Sequence, residues 1–121
     1  MQDGYDETDT LFNRYRKMFE NKLAFLRDNP TVATNLSQYQ AMLGFNEIIE
    51  RLIHDDDFIW NKFVQDGQEQ GVIAQIPTEL LHVLGIGIVV EIAYLQQLTQ
   101  KEYSKETIEQ MLLCSWKAIT V

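Results

Sequence analysis

The densest gathering of ligand-type side chains in the sequence is "HDDD", His54 to Asp57. An imidazole beside three carboxylates could in principle hold a divalent metal. Neighbouring residues on a helix point in different directions, however, so four in a row do not converge on one ion. Aspartates suit a helix N-cap and the positive end of the helix dipole. The cluster therefore reads as a kink or a fresh helix start. His82 lies inside an apolar run and is either a hydrogen-bonded core histidine or a polar contact in a ligand cavity. Glu91 fits an exposed edge or a charge pair across a subunit contact, and Glu50 and Arg51 fit solvent. Cys114, whose only basic neighbour is Lys117, is read as packed. There is no phosphate-binding glycine loop, no GxSxG elbow and no paired-cysteine spacing. The expectation is a protein that is not an enzyme and carries neither metal nor cofactor.

The bulk composition agrees. A chain of 121 residues suggests one domain, and its 45% apolar and 23% charged residues are ordinary for a globular protein. A domain of this size buries roughly 65% of its unfolded surface. Ten basic against 18 acidic residues give a net charge of −8, which opposes binding to phosphate backbones. One cysteine cannot form an internal disulfide, which fits a reducing, cytoplasmic setting. The first ten residues are acidic and polar, unlike a secretory signal. The most apolar stretch, Leu80 to Leu95, contains His82 and Glu91 and falls short of the roughly 20 residues of a membrane span.

Six glycines and two prolines are few, which favours helices over a turn-rich β fold. Residues 1–9 read as an acidic, flexible N-terminus, and 10–121 as a single helical domain of five or six helices. From Thr10 to Asp28, apolar residues recur at helical spacing, and Asp28-Asn29-Pro30 ends the segment. A second segment starts near Thr31, with Leu36, Tyr39 and Leu43 on one face and a break at Gly44. Phe45, Ile48, Ile49, Leu52 and Ile53 then lead to the aspartates, and Phe58, Ile59, Trp60, Phe63 and Val64 form a further patch.

"QDGQEQGVIAQIPTELL", Gln65 to Leu81, reads as helix end, short loop and helix start. Gly71 suits the left-handed C′ position, and Val72 the apolar residue that packs back. Pro77 can stand in the first turn of the next helix, with Thr78 as an alternative N-cap. That helix, Pro77 to Thr99, is apolar on nearly all sides and needs cover on two faces. Leu81, Leu84, Ile88, Ile92 and Leu95 share one side. Gly85 and Gly87 could admit another backbone, and a β-strand at "GIGIVV" is the rival reading. Ser104 caps the last helix, which carries Met111, Leu112 and Trp116 on its stripe, with Leu113 and Ala118 off it.

"FIWNKFVQDGQEQGVI", "IPTELLHVLGIGIVVEIAYLQQLT" and "SKETIEQMLLCSWKAI" together resemble the C-terminal regulatory domain of tetracycline-repressor-like (TetR family) transcription factors, as does "FLRDNP" at Phe25 to Pro30. In that family a G-x-x-x-G-x-I-like turn, here Gly67, Gly71 and Ile73, leads into a long helix, and a last helix with a bulky residue near its end closes the domain. The resemblance covers roughly Leu11 to Ile119 and lacks the family's helix-turn-helix head. It implies a fragment or a headless relative that does not bind DNA by this segment alone. It further implies a homodimer through the last two long helices, with Leu81, Leu84, Gly85, Ile88, Ile92, Leu95, Met111, Leu112 and Trp116 at the interface. A small, mainly apolar effector would sit among the helices, with Phe19, Tyr39, Met42, Phe45, Asn46, Phe63 and His82 as candidate contacts. The competing expectation is a headless interaction module that pairs with partner proteins or full-length regulators.

Overall fold

The computed structural model describes residues 4–32 and 47–121, and only the backbone of 47–57. Five helices account for most of it: α1 (Leu11–Asp28), α2 (Glu47–Glu69), α3 (Thr78–Leu84), α4 (Ile88–Thr99) and α5 (Lys105–Ile119). Among the described residues there is no strand; the only extended pairing is one antiparallel bridge between Ile73 and Thr120. The all-helical expectation holds, and no strand forms at Ile86–Val90.

The predicted Ser104 cap forms, and Thr10 caps α1 in the same way. The Thr10 hydroxyl accepts the Asn13 N–H at 3.2 Å, and the Ser104 hydroxyl accepts the Thr107 N–H at 3.1 Å. Each satisfies one of the amides that the first helical turn leaves without a helical partner. At its other end, α1 stops where Asn29 leaves helical geometry ahead of Pro30. The backbone re-enters helix at residues 30–32. The rest of the expected second segment, including Leu36, Tyr39, Leu43 and the Gly44 break, lies outside the described residues.

Two expectations about helix boundaries are corrected. No helix begins at His54–Phe58, because α2 runs unbroken from Glu47 to Glu69. The three-and-four apolar spacing resumes in phase on both sides of the aspartates, and that phase outweighs one polar turn. Conversely, Pro77–Thr99 is two helices rather than one. Gly85 leaves helical geometry (φ −107°, ψ −108°), and the Gly87 N–H reaches back five residues to the His82 carbonyl at 2.8 Å. Pro77 itself is the residue outside α3, with Thr78 the first inside it.

The turn after α2 forms as its sequence predicts. Gly71 adopts φ +74°, the Val72 N–H bonds the Gly67 carbonyl at 2.9 Å, and the Gly71 N–H bonds the Gln68 carbonyl at 3.2 Å. This is the two-bond Schellman ending. Ile73 then inserts into the core, and residues 72–74 pair with the end of α5 through Ala74 N–H to Ile119 O (2.9 Å) and Val121 N–H to Val72 O (3.0 Å).

Around this frame α1 packs against α2, α4 and α5. Tyr15 sits at the centre without solvent exposure. The rings of Trp116, Phe63, Phe19 and Trp60 lie 5.5–6.4 Å from its centroid.

Candidate functional site

A cleft opens between α1, α2 and the α3–α4 turn. Met18 and Lys22 stand one turn apart on α1, Ile59 and Trp60 come from α2, and His82 and Ile86 flank the end of α3. Tyr5, ahead of α1, closes the remaining side. The cleft encloses about 390 Å³ of non-atom space including its open mouth, but interior room for a solute is only about 20 Å³. That is space on the scale of a single water.

Hydrogen bonds fix the walls. Trp60 Nε1 donates to the Thr78 carbonyl at 3.1 Å, tying α2 to the start of α3. The His82 imidazole meets the Trp60 ring edge-on at 5.7 Å. A Cβ on Gly87 would stand 2.8 Å from the His82 carbonyl oxygen and 3.3 Å from Nδ1, so only glycine lets the turn fold over the imidazole. Burial, aided by the nearby Lys22 charge, pushes His82 down to about 4. At neutral pH it is an uncharged ring that can donate one hydrogen bond and accept one. With such a value it is poorly matched to proton transfer near pH 7. The lining is mainly apolar, with the His82 imidazole and the Lys22 ammonium among its polar groups.

Behind Tyr5 lies a buried charge. Arg14 is 2% exposed, and its Nε donates to the Tyr5 hydroxyl at 3.1 Å. Its Nη2 lies 3.0 Å from Asp66 Oδ2, a charge contact without hydrogen-bond alignment. Burial works against the Arg14 charge, but Tyr5 and Asp66 outweigh it and leave the guanidinium more firmly protonated than usual. Asp66 is held below the usual carboxylate range by its hydrogen bond from Lys62 and then by Arg14.

Of the residues expected to contact a ligand, His82 lines this cleft. Phe19 and Phe63 are fully buried in the aromatic core instead. Tyr39, Met42, Phe45 and Asn46 lie outside the described residues, as do the side chains of His54–Asp57. Among the described residues no cluster of metal-ligating side chains forms. The sequence reading missed Tyr5, Met18, Lys22, Ile59, Trp60 and Ile86. Ile59 and Trp60 read in the sequence only as part of an apolar patch, and Ile86 as part of an apolar run, with no clue to their neighbours.

The proposed interface set divides. Leu81, Gly85, Ile92 and Leu112 are buried within the subunit, and Ile88 and Trp116 are half-buried, the latter edge-on to Phe12 at 5.3 Å. Leu84, Leu95 and Met111 are exposed, and Leu80, Val83 and Leu98 join them. Cys114, expected to be packed, is exposed in the subunit.

A family model described as the tetracycline repressor-like C-terminal domain matches residues 10–120. An uncharacterised helix-turn-helix-type transcriptional regulator of Haemophilus influenzae is 28% identical over 119 residues, covering 98% of this chain and 62% of the relative. The crystal structure of a TetR-family transcriptional regulator from Haemophilus influenzae superposes with a TM-score of 0.77 at 27% identity, covering 99% of this chain and 62% of that one. A TetR-family protein of Vibrio parahaemolyticus shares the fold, with a TM-score of 0.73 at 22% identity over 99% and 64% of the two chains. The chain thus spans less than two thirds of the length of these relatives. With its glycine-closed turn, broken apolar α3–α4 segment and tryptophan-bearing last helix, the chain belongs to the tetracycline-repressor-like C-terminal-domain family of transcriptional regulators.

Proposed function

We propose that this chain is the effector-binding and dimerisation domain of a TetR-like transcriptional regulator of the cytoplasm. One observation carries the reading. The apolar segment Thr78–Thr99 has a mean hydropathy of 1.7 across its most apolar window, yet only 33% of that window is buried. A membrane does not account for the remainder. The break at residues 85–87 leaves helices of 7 and 12 residues, roughly 10 and 18 Å long against a hydrocarbon core of about 30 Å. A second copy of the chain does account for it. Leu80, Val83, Leu84, Leu95 and Leu98 make an apolar surface on the segment whose opposite side, through Leu81, Val89 and Ile92, forms the core.

His82 and Ile86, on the same segment, line the cleft that this reading takes as the effector site. A small, mainly apolar molecule that fits the cleft in only one arrangement of α1 against α3–α4 shifts the population of dimer geometries, which is the requirement for a ligand-controlled regulator. DNA contact belongs to a longer chain, since the net charge of −8 repels phosphates. Sedimentation equilibrium with and without a panel of apolar probes tests the reading. The expected result is a dimer, with binding reported by Trp60 fluorescence. A chain that stays monomeric at high micromolar concentration and leaves Trp60 unperturbed by every probe rules it out.

A further inference from the structure

The cleft has almost no free room, and two of its lining residues are core side chains. Trp60 and Ile86 are 3% and 4% exposed and belong to the core. Tyr5 differs from the other lining residues. It comes from no helix and lies outside the stretch matched by the family, residues 10–120. It is half-buried and is brought to the cleft by a turn at Gly4, whose φ of +74° sends the chain back beside Lys17. Among the described residues it accepts a hydrogen bond from Arg14 Nε at 3.1 Å, and the Arg14 guanidinium lies 5.9 Å from its ring centroid.

We propose that Tyr5 is a built-in occupant of the effector cleft, and that an effector enters by displacing it and taking over its bond to Arg14. This rests on reading the cleft as the effector site. It also specifies the ligand class. Removing the Tyr5 oxygen leaves a buried guanidinium short of an acceptor, which is costly unless the incoming molecule supplies one. The ligand is therefore a compact aromatic carrying a hydroxyl or carboxylate oxygen, and the tyrosine side chain itself has the shape of p-cresol. Effector and arm exclude each other, so every binding event frees residues 4–9 from α1. An internal competitor that is docked 90–99% of the time lowers apparent affinity by about 10- to 100-fold.

The test compares the 121-residue chain with Tyr5→Gly and Tyr5→Phe, all on a Trp116→Phe background so that Trp60 alone reports. The probes are p-cresol and toluene, followed by titration calorimetry and fluorescence. Tyr5→Gly is expected to bind p-cresol about 10- to 100-fold more tightly than the parent. It should prefer p-cresol to toluene by at least about fivefold, since only the phenol can satisfy Arg14. In the parent, saturating p-cresol should speed proteolysis between Asp6 and Asp9. Tyr5→Phe, which keeps the ring and loses the bond, should fall between the two and carries the test if Tyr5→Gly does not fold. Equal p-cresol affinity in all three chains overturns the plug and leaves the cleft reading standing. Binding of neither probe to any of them overturns the plug together with the cleft reading.

Discussion

Tyr15 and Ser115, 100 positions apart in the chain, share a 2.6 Å hydrogen bond inside the core. The Ser115 hydroxyl also donates to the Leu112 carbonyl at 2.8 Å, so the tyrosine supplies the proton between the two side chains. Burial, partly offset by this bond, pushes Tyr15 up to about 12. The pair is therefore neutral at any physiological pH, and it fixes the register of α1 against α5.

The two halves of this bond differ in what their loss leaves behind. Tyr15→Phe leaves Ser115 bonded to Leu112 and is expected to cost about 1 kcal/mol. Ser115→Ala strands a buried phenol and is expected to cost about 2 kcal/mol, with the double change costing less than the sum. Urea denaturation of the four chains checks the order. Equal costs would show that a water or a rotated phenol replaces the lost partner.

Stability should depend on His82 as pH falls. The unfolded chain takes up a proton near pH 6.5, whereas the folded chain resists until about 4. Folding is unaffected by this group above 6.5 and loses up to about 3 kcal/mol as pH drops from 6.5 to 4. His82→Phe should flatten that window. The acid transition below it should remain, because Glu109 and Asp66 are held low by their ion pairs with Arg16 and with Lys62 and Arg14. Melting temperatures across pH 4 to 8 decide; an unchanged slope in the variant would remove His82 as its cause.

Gly67, in the last turn of α2, and Gly71, in the turn after it, should respond differently to alanine. A Cβ on Gly67 would stand 2.7 Å from Ile73 Cδ1, so Gly67→Ala must push Ile73 out of its core position and is expected to cost about 2–3 kcal/mol. At Gly71 a Cβ meets nothing within 4 Å, and only the positive φ is strained, for about 1 kcal/mol. If Gly71→Ala proves the costlier change, the turn is limited by backbone geometry and not by Ile73.

Substitutions at Val83 and Leu98 separate assembly from folding. Both side chains are more than 60% exposed in the subunit. Val83→Glu and Leu98→Glu should therefore leave helicity unchanged. In a two-fold interface each charge is buried twice, so self-association should weaken by about 100-fold or more. Lys105→Glu, in the first turn of α5, should leave it intact. Sedimentation equilibrium supplies the readout, and unchanged association in both glutamate variants would move the dimer contact to another face.

The parts of this fold legible in the sequence are those written in three or four consecutive positions. Ser104 and Gly71 announce helix ends because capping is a bond between near neighbours. The break at Gly85–Gly87 was not legible as a break. The segment is apolar on every side, so no change of phase marks the end of one helix and the start of the next. The cleft was legible only through His82, an isolated polar residue in an apolar run. Phe19 and Phe63 show the limit: an aromatic at helical spacing looks the same whether its ring meets other rings or empty space. Tyr5 and Lys22 reach the cleft through contacts between distant parts of the chain, and nothing in an acidic leader or a polar helix face announces them.

The backbone bridge between Ile73 and Thr120 makes a ring of everything between its ends, α3, α4 and α5 included. Its two flanking amides, Ala74 and Val121, bond to the Ile119 and Val72 carbonyls and cannot exchange with deuterium until that ring opens. Roughly contiguous segments of this kind often open as a unit. The slowest-exchanging protons near the end of α5 therefore report on the α2–α3 turn as well as on their own helix, and a probe bound in the cleft should slow them even though it touches neither residue.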